Sequence, residues 1–216
     1  ITPDSYYDGG KYISPDKAIE HAYQMVKDGA DIIDIGGEST RPFSDSVDEE
    51  EELKRVIPVI KALSKEITVP ISIDTQKPRV ARAAMESGAS WFNSISGFQN
   101  PLMVQVAIDF DVPICVMHMQ KNPENMQLCP SYPEGVVKEI LEWMKKTSKS
   151  LISQGVKEKN IIFDPGIGFG KTVDDNIKII KHLSDFKKLG FPILLGISRK
   201  SFIQKILEKK ASEVLS

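Results

Sequence analysis

Polar side chains recur in this sequence wherever a short apolar run stops. Asp34 and Gly36 close "DIIDIGG" (31–37), Asp74 closes "VPISIDT" (69–75), and Asn93 and Ser94 fall within "SWFNSIS" (90–96). His118 ends "VPICVMHM" (112–119), Asp164 ends "NIIFDPG" (160–166), and Ser198 ends "FPILLGIS" (191–198), with Lys200 two positions on. Carboxylate oxygens accept hydrogen bonds from amino and ring N–H groups. Gathered at one mouth, two or three carboxylates, an amide and a lysine could grip a flat, donor-rich heterocycle along its edge, with Met117 and Phe169 covering its face. Singly, none decides. An Asp followed by Gly is more often a turn former, and His118 between two methionines is as readily a packed ring as an acid or base. Lys200 at a predicted helix start opposes the helix dipole, a local cost that favours a functional reading of Arg199 and Lys200.

The stretch "IIFDPGIGFGKT" (161–172) has the look of a phosphate loop. A Walker loop needs a glycine five positions before its Gly-Lys pair, so that backbone N–H groups curl around the anion. Pro165 occupies that position and has no N–H to give. Gly166, Gly168 and Gly170 also miss the dinucleotide spacing. The stretch is therefore a buried strand ending on Asp164 and then a glycine-rich turn, and Lys171 is left out of the candidate site. No His/Cys zinc set or Ser-His-Asp arrangement is recognisable.

Positioning such groups requires strands that end together. The six runs are rich in Ile and Val and lack strict alternation, as expected of strands buried on both faces in a parallel sheet. Helical patterns separate them: one opened by Ser14 and Pro15, one over 46–63 capped by Ser46 with Glu49, and others over 78–86, 101–110, 134–153, 173–189 and 199–209. Leu53, Val56, Ile57, Ile60 and Leu63 predict the apolar face of the second, and the acid run Asp48 to Glu52 reads as its solvated first turn rather than a metal cluster. In an open sheet only strands near the switch point deliver polar ends, whereas a (β/α)8 barrel gathers every strand end at one mouth. The expected fold is thus α/β, a (β/α)8 TIM barrel in one domain over 1–216, with one strand before Ile1 and a last strand and helix after Ser216.

The 216 residues suffice for one such domain, and 41% hydrophobic with 27% charged residues is an ordinary globular composition. A formal net charge of −2 offers no basic field for nucleic acid. No apolar run approaches the roughly 20 residues of a membrane span. Cys115, in an apolar run, and Cys129, in a polar loop, form no spacing motif, so a reducing, cytoplasmic setting is expected.

Seven collinear blocks carry a specific resemblance: "TPDSYYDGG" (2–10), "GADIIDIGGESTRP" (29–42), "ISIDTQKPRVA" (71–81), "FNSISG" (92–97), "VMHMQKNPENMQ" (116–127), "DPGIGFGKT" (164–172) and "GISRKSF" (196–202). In these the chain resembles the dihydropteroate synthase family, transferases of folate biosynthesis and targets of sulfonamides. The resemblance implies condensation of 6-hydroxymethyl-7,8-dihydropterin pyrophosphate with p-aminobenzoate, Mg2+ as cofactor and a homodimer. It implies pterin binding by Asp74, Asn93, Met117, Asp164, Gly168, Phe169, Gly196 and Lys200, and a p-aminobenzoate and pyrophosphate site from Thr40, Arg41, Pro42 and Ser201. Lys200, Asp164 and Asp8 are the implied catalytic groups. The family asparagine that helps hold magnesium would precede Ile1, and an Arg-x-His stretch would follow Ser216. Ser94 stands where the family commonly has Asp, and Phe43 where it has Gly. A folate-binding methyltransferase, a barrel aldolase using Lys200 as Schiff-base former, a non-catalytic pterin-binding barrel and fusion to another folate-pathway domain remain alternatives at this point.

Overall fold

A computed structural model of the chain describes residues 14–39, 47–121, 125–198 and 200–208. Asp8, Thr40, Arg41, Pro42, Phe43, Ser46 and Arg199 lie outside the described residues. Five parallel strands, β1 (Ile33–Gly36), β2 (Ile71–Asp74), β3 (Trp91–Ser94), β4 (Ile114–Met117) and β5 (Ile161–Asp164), pair in sequence order. Between them run α1 (Pro15–Lys27), α2 (Glu49–Leu63), α3 (Pro78–Glu86), α4 (Pro101–Phe110) and α5 (Val136–Ser153). After β5 come α6 (Val173–Lys181), α7 (Leu183–Lys187) and α8 (Ser201–Leu207). Each of the first three helices packs on the next, α1 on α2, α2 on α3 and α3 on α4, as in a ring of crossovers.

Local chemistry sets several starts. Ser14 caps α1 by accepting from the Lys17 N–H at 3.3 Å, with Pro15 in the first position. Asn100 does the same for α4, accepting from the Leu102 N–H at 3.0 Å. Thr172 and Asp175 form a reciprocal capping box on α6. α2 differs from expectation: its cap is Asp48, accepting from the Glu51 N–H at 2.7 Å, in place of the predicted Ser46–Glu49 box. Nor is its first turn wholly solvated, since Glu52 is only 1% exposed. Val56, Ile60 and Leu63 are buried as predicted, whereas Leu53 and Ile57 are half-buried.

The predicted helix over 173–189 is two. His182 leaves helical geometry (φ −108°, ψ 21°) and its Nδ1 pairs with Asp185 Oδ2 at 2.8 Å, a local bond that competes with helix continuation. The helix predicted from 199 begins at Ser201, with Lys200 as the residue before it. The sixth predicted strand is an extended segment joined to β5 by one parallel bridge, Phe163 to Ile193, with Leu194 N–H donating to Phe163 O at 2.9 Å. Among the described residues the sheet does not close on itself.

The two faces of the sheet differ more than the apolar runs suggested. Ile33, Ile35, Ile71, Ile73, Phe92, Ile114, Val116, Ile161 and Phe163 all join the main core beneath the helices. The residues alternating with them, Asp34, Ser72, Asp74, Asn93, Cys115, Met117, Ile162 and Asp164, lie outside that core on the opposite face. Strand period, not strand end alone, brings the carboxylates together.

Candidate functional site

Register fixes the order of groups across the mouth. Asp74 lies beside Gly36 and Asn93, and Met117 lies beside Asp164. Asn93 Nδ2 donates to Asp34 Oδ2 at 3.4 Å, so the β1 carboxylate belongs to the same polar surface. The sequence reading named Asp34 as a strand end but omitted it from the site. Cys115 pairs in register with Asn93, and its thiol is pushed up by burial and then by Asp164, Asp34 and Asp74.

Burial governs the charge states. The Asp74 carboxyl is held well above the usual carboxylate range by desolvation, then by the negative Asp34 and Glu52. Its Oδ1 is closed to solvent and has no hydrogen-bond partner among the described residues. Desolvation also raises Asp164, opposed by the Gly166 N–H, which donates to Asp164 Oδ1 at 2.7 Å, and by Lys200 and Lys171. Lys200 is shifted down by burial, with Asp164 opposing. Its Nζ stands 4.3 Å from the centre of the Phe169 ring, a cation–π contact. Desolvated acids of this kind gain most from N–H donors that replace lost water.

An apolar wall adjoins them. Ile95, Met117, Met126 and Phe169 form a buried cluster separate from the main core, with Met119 packed against it. Met117 and Phe169 were expected there; Ile95 and Met126 were not, because neither falls on a periodic apolar pattern. A cavity of about 160 Å³ is lined by Met117 and Ile95 together with Gln76, Ser96, Gln99, Met119, Lys121 and Trp143, and by none of the strand-end acids.

The glycine-rich turn is held from several directions. Gly168 N–H donates to Asn176 Oδ1 at 2.8 Å, Gln127 Nε2 to Gly168 O at 2.5 Å, and Tyr132 OH to Gly170 O at 2.8 Å. Gly168 brings its backbone against Lys200: a Cβ there would lie 3.4 Å from Lys200 Cδ. Gly196 faces the acid, its notional Cβ 3.8 Å from Asp164 Oδ2. Ser201 and Ser198, by contrast, are exposed. Ser94 lies on the core-facing side, fully buried, and bonds Ser96 Oγ at 2.9 Å, so this departure leaves the pocket face intact.

Lys171 and His118 are structural partners. Lys171 is 4% exposed, and its Nζ lies 3.1 Å from His118 Nδ1, 3.3 Å from His118 O and 2.9 Å from Phe169 O. Burial lowers His118 to about 3, and its ring packs edge-on against Trp143. Burial likewise lowers Lys171 to about 7. The unfolded lysine therefore binds more protons between about pH 7 and 10.5, and stability rises with pH across that window. Lys171→Met is expected to flatten that rise, read as urea midpoints at pH 7 and 9.5.

The sequence matches the family described as "Pterin binding enzyme" over residues 1–215. It is 48% identical over 214 residues to dihydropteroate synthase of Bacillus subtilis, covering 99% of this chain and 72% of that enzyme. The chain belongs to the dihydropteroate synthase family. The Yersinia pestis dihydropteroate synthase solved with a sulfonamide drug superposes with a TM-score of 0.95 at 38% identity, covering 100% of this chain and 78% of that one. The Xanthomonas albilineans dihydropteroate synthase in complex with 7,8-dihydropteroate gives 0.86 at 34%, covering 100% and 76%. The sheet and helices described above are thus those of a TIM barrel dihydropteroate synthase, a transferase of folate biosynthesis. Among the described residues no helix is long and apolar enough to cross a membrane.

Proposed function

We propose that the strand-end pocket binds 6-hydroxymethyl-7,8-dihydropterin pyrophosphate and joins it to p-aminobenzoate, giving 7,8-dihydropteroate and pyrophosphate. The carrying observation is the adjacency of Asp74 with Asn93 and of Met117 with Asp164 on one face, closed by Lys200 over Phe169. Asp74 and Asp164 accept from the amino and ring N–H groups of the pterin edge, and Asn93 completes that edge. Met117, Phe169, Gly168 and Gly196 shape the flat slot. In the reaction the methylene–oxygen bond breaks, its electron pair leaves with pyrophosphate, and the arylamine nitrogen bonds the methylene and releases a proton. The positive charge that develops on the pterin methylene is tolerated beside buried acids. The residues orient the two substrates and need supply no nucleophile of their own.

Asp8, Thr40, Arg41, Pro42 and Ser201 are proposed for the acceptor and pyrophosphate side. Among the described residues no group of three or more His, Cys, Asp or Glu side chains could hold a metal ion. Mg2+ therefore enters the proposal as a counter-ion of the pyrophosphate, and no step is assigned to it. A cytoplasmic homodimer with no nucleic-acid partner belongs to the same proposal, and sedimentation velocity tests the dimer. The activity test is pyrophosphate release from the pterin substrate. Release is expected to require p-aminobenzoate and to be inhibited by a sulfonamide competitively with it; release indifferent to p-aminobenzoate would overturn the reading.

A further inference from the structure

Three successive carbonyl oxygens of the turn that carries Phe169 are each held by a side chain. Gln127 Nε2 donates to Gly168 O, Lys171 Nζ to Phe169 O at 2.9 Å, and Tyr132 OH to Gly170 O. A turn has no ladder partners, so its carbonyls depend on donors that the surroundings deliver. Lys171 differs from the other two donors in reaching both loops at once. The same Nζ donates to His118 O at 3.3 Å and lies 3.1 Å from His118 Nδ1, joining the loop after β4 to the loop after β5. The two backbones touch on either side of that link. A Cβ on Gly166 would strike His118 O, and one on Gly170 would lie 2.8 Å from Gln120 Cβ. The Phe169 ring, fixed at its own carbonyl, joins Met117 in the apolar wall and carries Lys200 Nζ over its face.

Four titratable groups face the Lys171 ammonium: His118 after β4, Asp164 at the end of β5, Asp175 on α6, and Lys200 before α8. Burial brings Lys171 down to about 7, the two acids oppose that fall, and Lys200 adds to it. His118, lowered to about 3 by burial and then by Lys171, is neutral wherever the lysine titrates. An ammonium has three donors and no lone pair, so beside it His118 Nδ1 must accept and the ring proton sits on Nε2. Loss of the lysine proton removes one donor and leaves neutral bonds where charge-assisted ones, roughly twice as strong, had held the two carbonyls.

We infer that Lys171 is a positioning residue of the pterin slot: by tying the Phe169 carbonyl to the His118 carbonyl it sets where the Phe169 ring stands against the flat face of the ligand. The inference rests on the proposed function, so the wild type is titrated calorimetrically with the pterin substrate first. No binding there would fail that reading and the inference together, whereas binding that Lys171→Met leaves unchanged would fail the inference alone. Lys171→Met keeps the apolar stem and removes the donors. Its pterin Kd is expected on the order of tenfold above wild type at pH 6, narrowing by pH 8.5 as the wild-type lysine loses its own proton. Its KM for p-aminobenzoate is expected to stay within about twofold of wild type. Taking the ratio of the two proteins at each pH removes the titration of the substrate itself. A second measurement needs no variant: the 15N resonance of His118 Nδ1 in the wild type follows the proton on Lys171. Saturating pterin is expected to move that midpoint to higher pH, because a ligand favoured by the ammonium favours the ammonium in turn. A gap in pterin Kd that is equal at both pH values, parallel rises in both substrate constants, or a His118 midpoint indifferent to pterin would each overturn the inference.

Discussion

Asp164→Asn is expected to lose about tenfold to a hundredfold in pterin affinity while leaving the ligand-free fold at least as stable as wild type. The affinity loss follows from exchanging a charge-assisted acceptor for a neutral one, a difference of about 1.5 to 3 kcal/mol. The stability expectation follows from the sign of the pKa shift. Asp164 is buried and its folded pKa is raised above 3.8, so the contribution it makes to stability is complete below that value and is lost as pH climbs through the folded pKa. The ionised form of the side chain carries a desolvation cost that asparagine does not. The asparagine oxygen can still accept the Gly166 N–H that now reaches Asp164 Oδ1 at 2.7 Å, and the His118 N–H bond at 2.9 Å goes to the backbone carbonyl, which the substitution leaves alone. Removal of the negative charge leaves Lys200 with less support for its proton, which opposes the gain in part. Calorimetric titration with the pterin substrate and a thermal melt at pH 7 read the two halves separately. Unchanged affinity would remove Asp164 from the pocket, and joint loss of folding and binding would make it a structural residue.

That separation explains why the strand ends of the candidate site were legible in the sequence and some of their supports were not. Asp74, Asn93, Met117 and Asp164 sit at ends of strands, and strand ends are marked locally by apolar runs that stop. Glu52 carried no such mark: its neighbours are four acids in a helix start, and its burial depends on a lysine delivered by a different loop. Lys171 was left out of the candidate site on backbone chemistry, but its partners were hidden for the same reason. Beside a glycine-rich turn it resembles a phosphate ligand, yet its three contacts come from His118 and Phe169, on loops whose meeting only the tertiary fold decides. Asp34 was visible as a strand end, but its membership depends on Asn93, 59 positions away in sequence, reaching across β2. The helix break at His182 was illegible because the apolar pattern continues through Leu183 and Phe186, while a short-range pairing with Asp185 bends the chain. Local signals gave element type and the polar ends; anything set by a side chain arriving from another element had no local trace.

The largest stability effect is expected at Gly166, and three glycines of similar backbone geometry isolate its cause. Gly166, Gly168 and Gly190 have φ of +72°, +82° and +87°, so alanine at each incurs a left-handed backbone penalty of about 1 kcal/mol. Their surroundings differ. At Gly190 an added Cβ meets nothing within 4 Å, and the penalty should stand alone. At Gly168 the nearest atom is Lys200 Cδ at 3.4 Å, the flexible part of a side chain, so Gly168→Ala should cost little more in stability while weakening pterin binding through a displaced ammonium. At Gly166 the Cβ would lie 1.9 Å from the His118 carbonyl oxygen. That carbonyl cannot easily withdraw, because the His118 N–H is bonded to Asp164 O and its oxygen accepts from Lys171. Nor can residue 166 withdraw without giving up the bond from its own N–H to Asp164 Oδ1. Relief requires parting the β4 and β5 loops and breaking the Lys171 contacts, so Gly166→Ala should lose about 3 kcal/mol or more, a large share of the roughly 5 to 15 kcal/mol that holds a domain folded. Urea unfolding of the three variants ranks them directly: Gly190 least, Gly168 next, Gly166 far beyond both. A Gly166→Ala midpoint no lower than that of Gly190→Ala would mean that the two loops part without cost, and the rigid mounting of Phe169 and Asp164 would have to come from elsewhere.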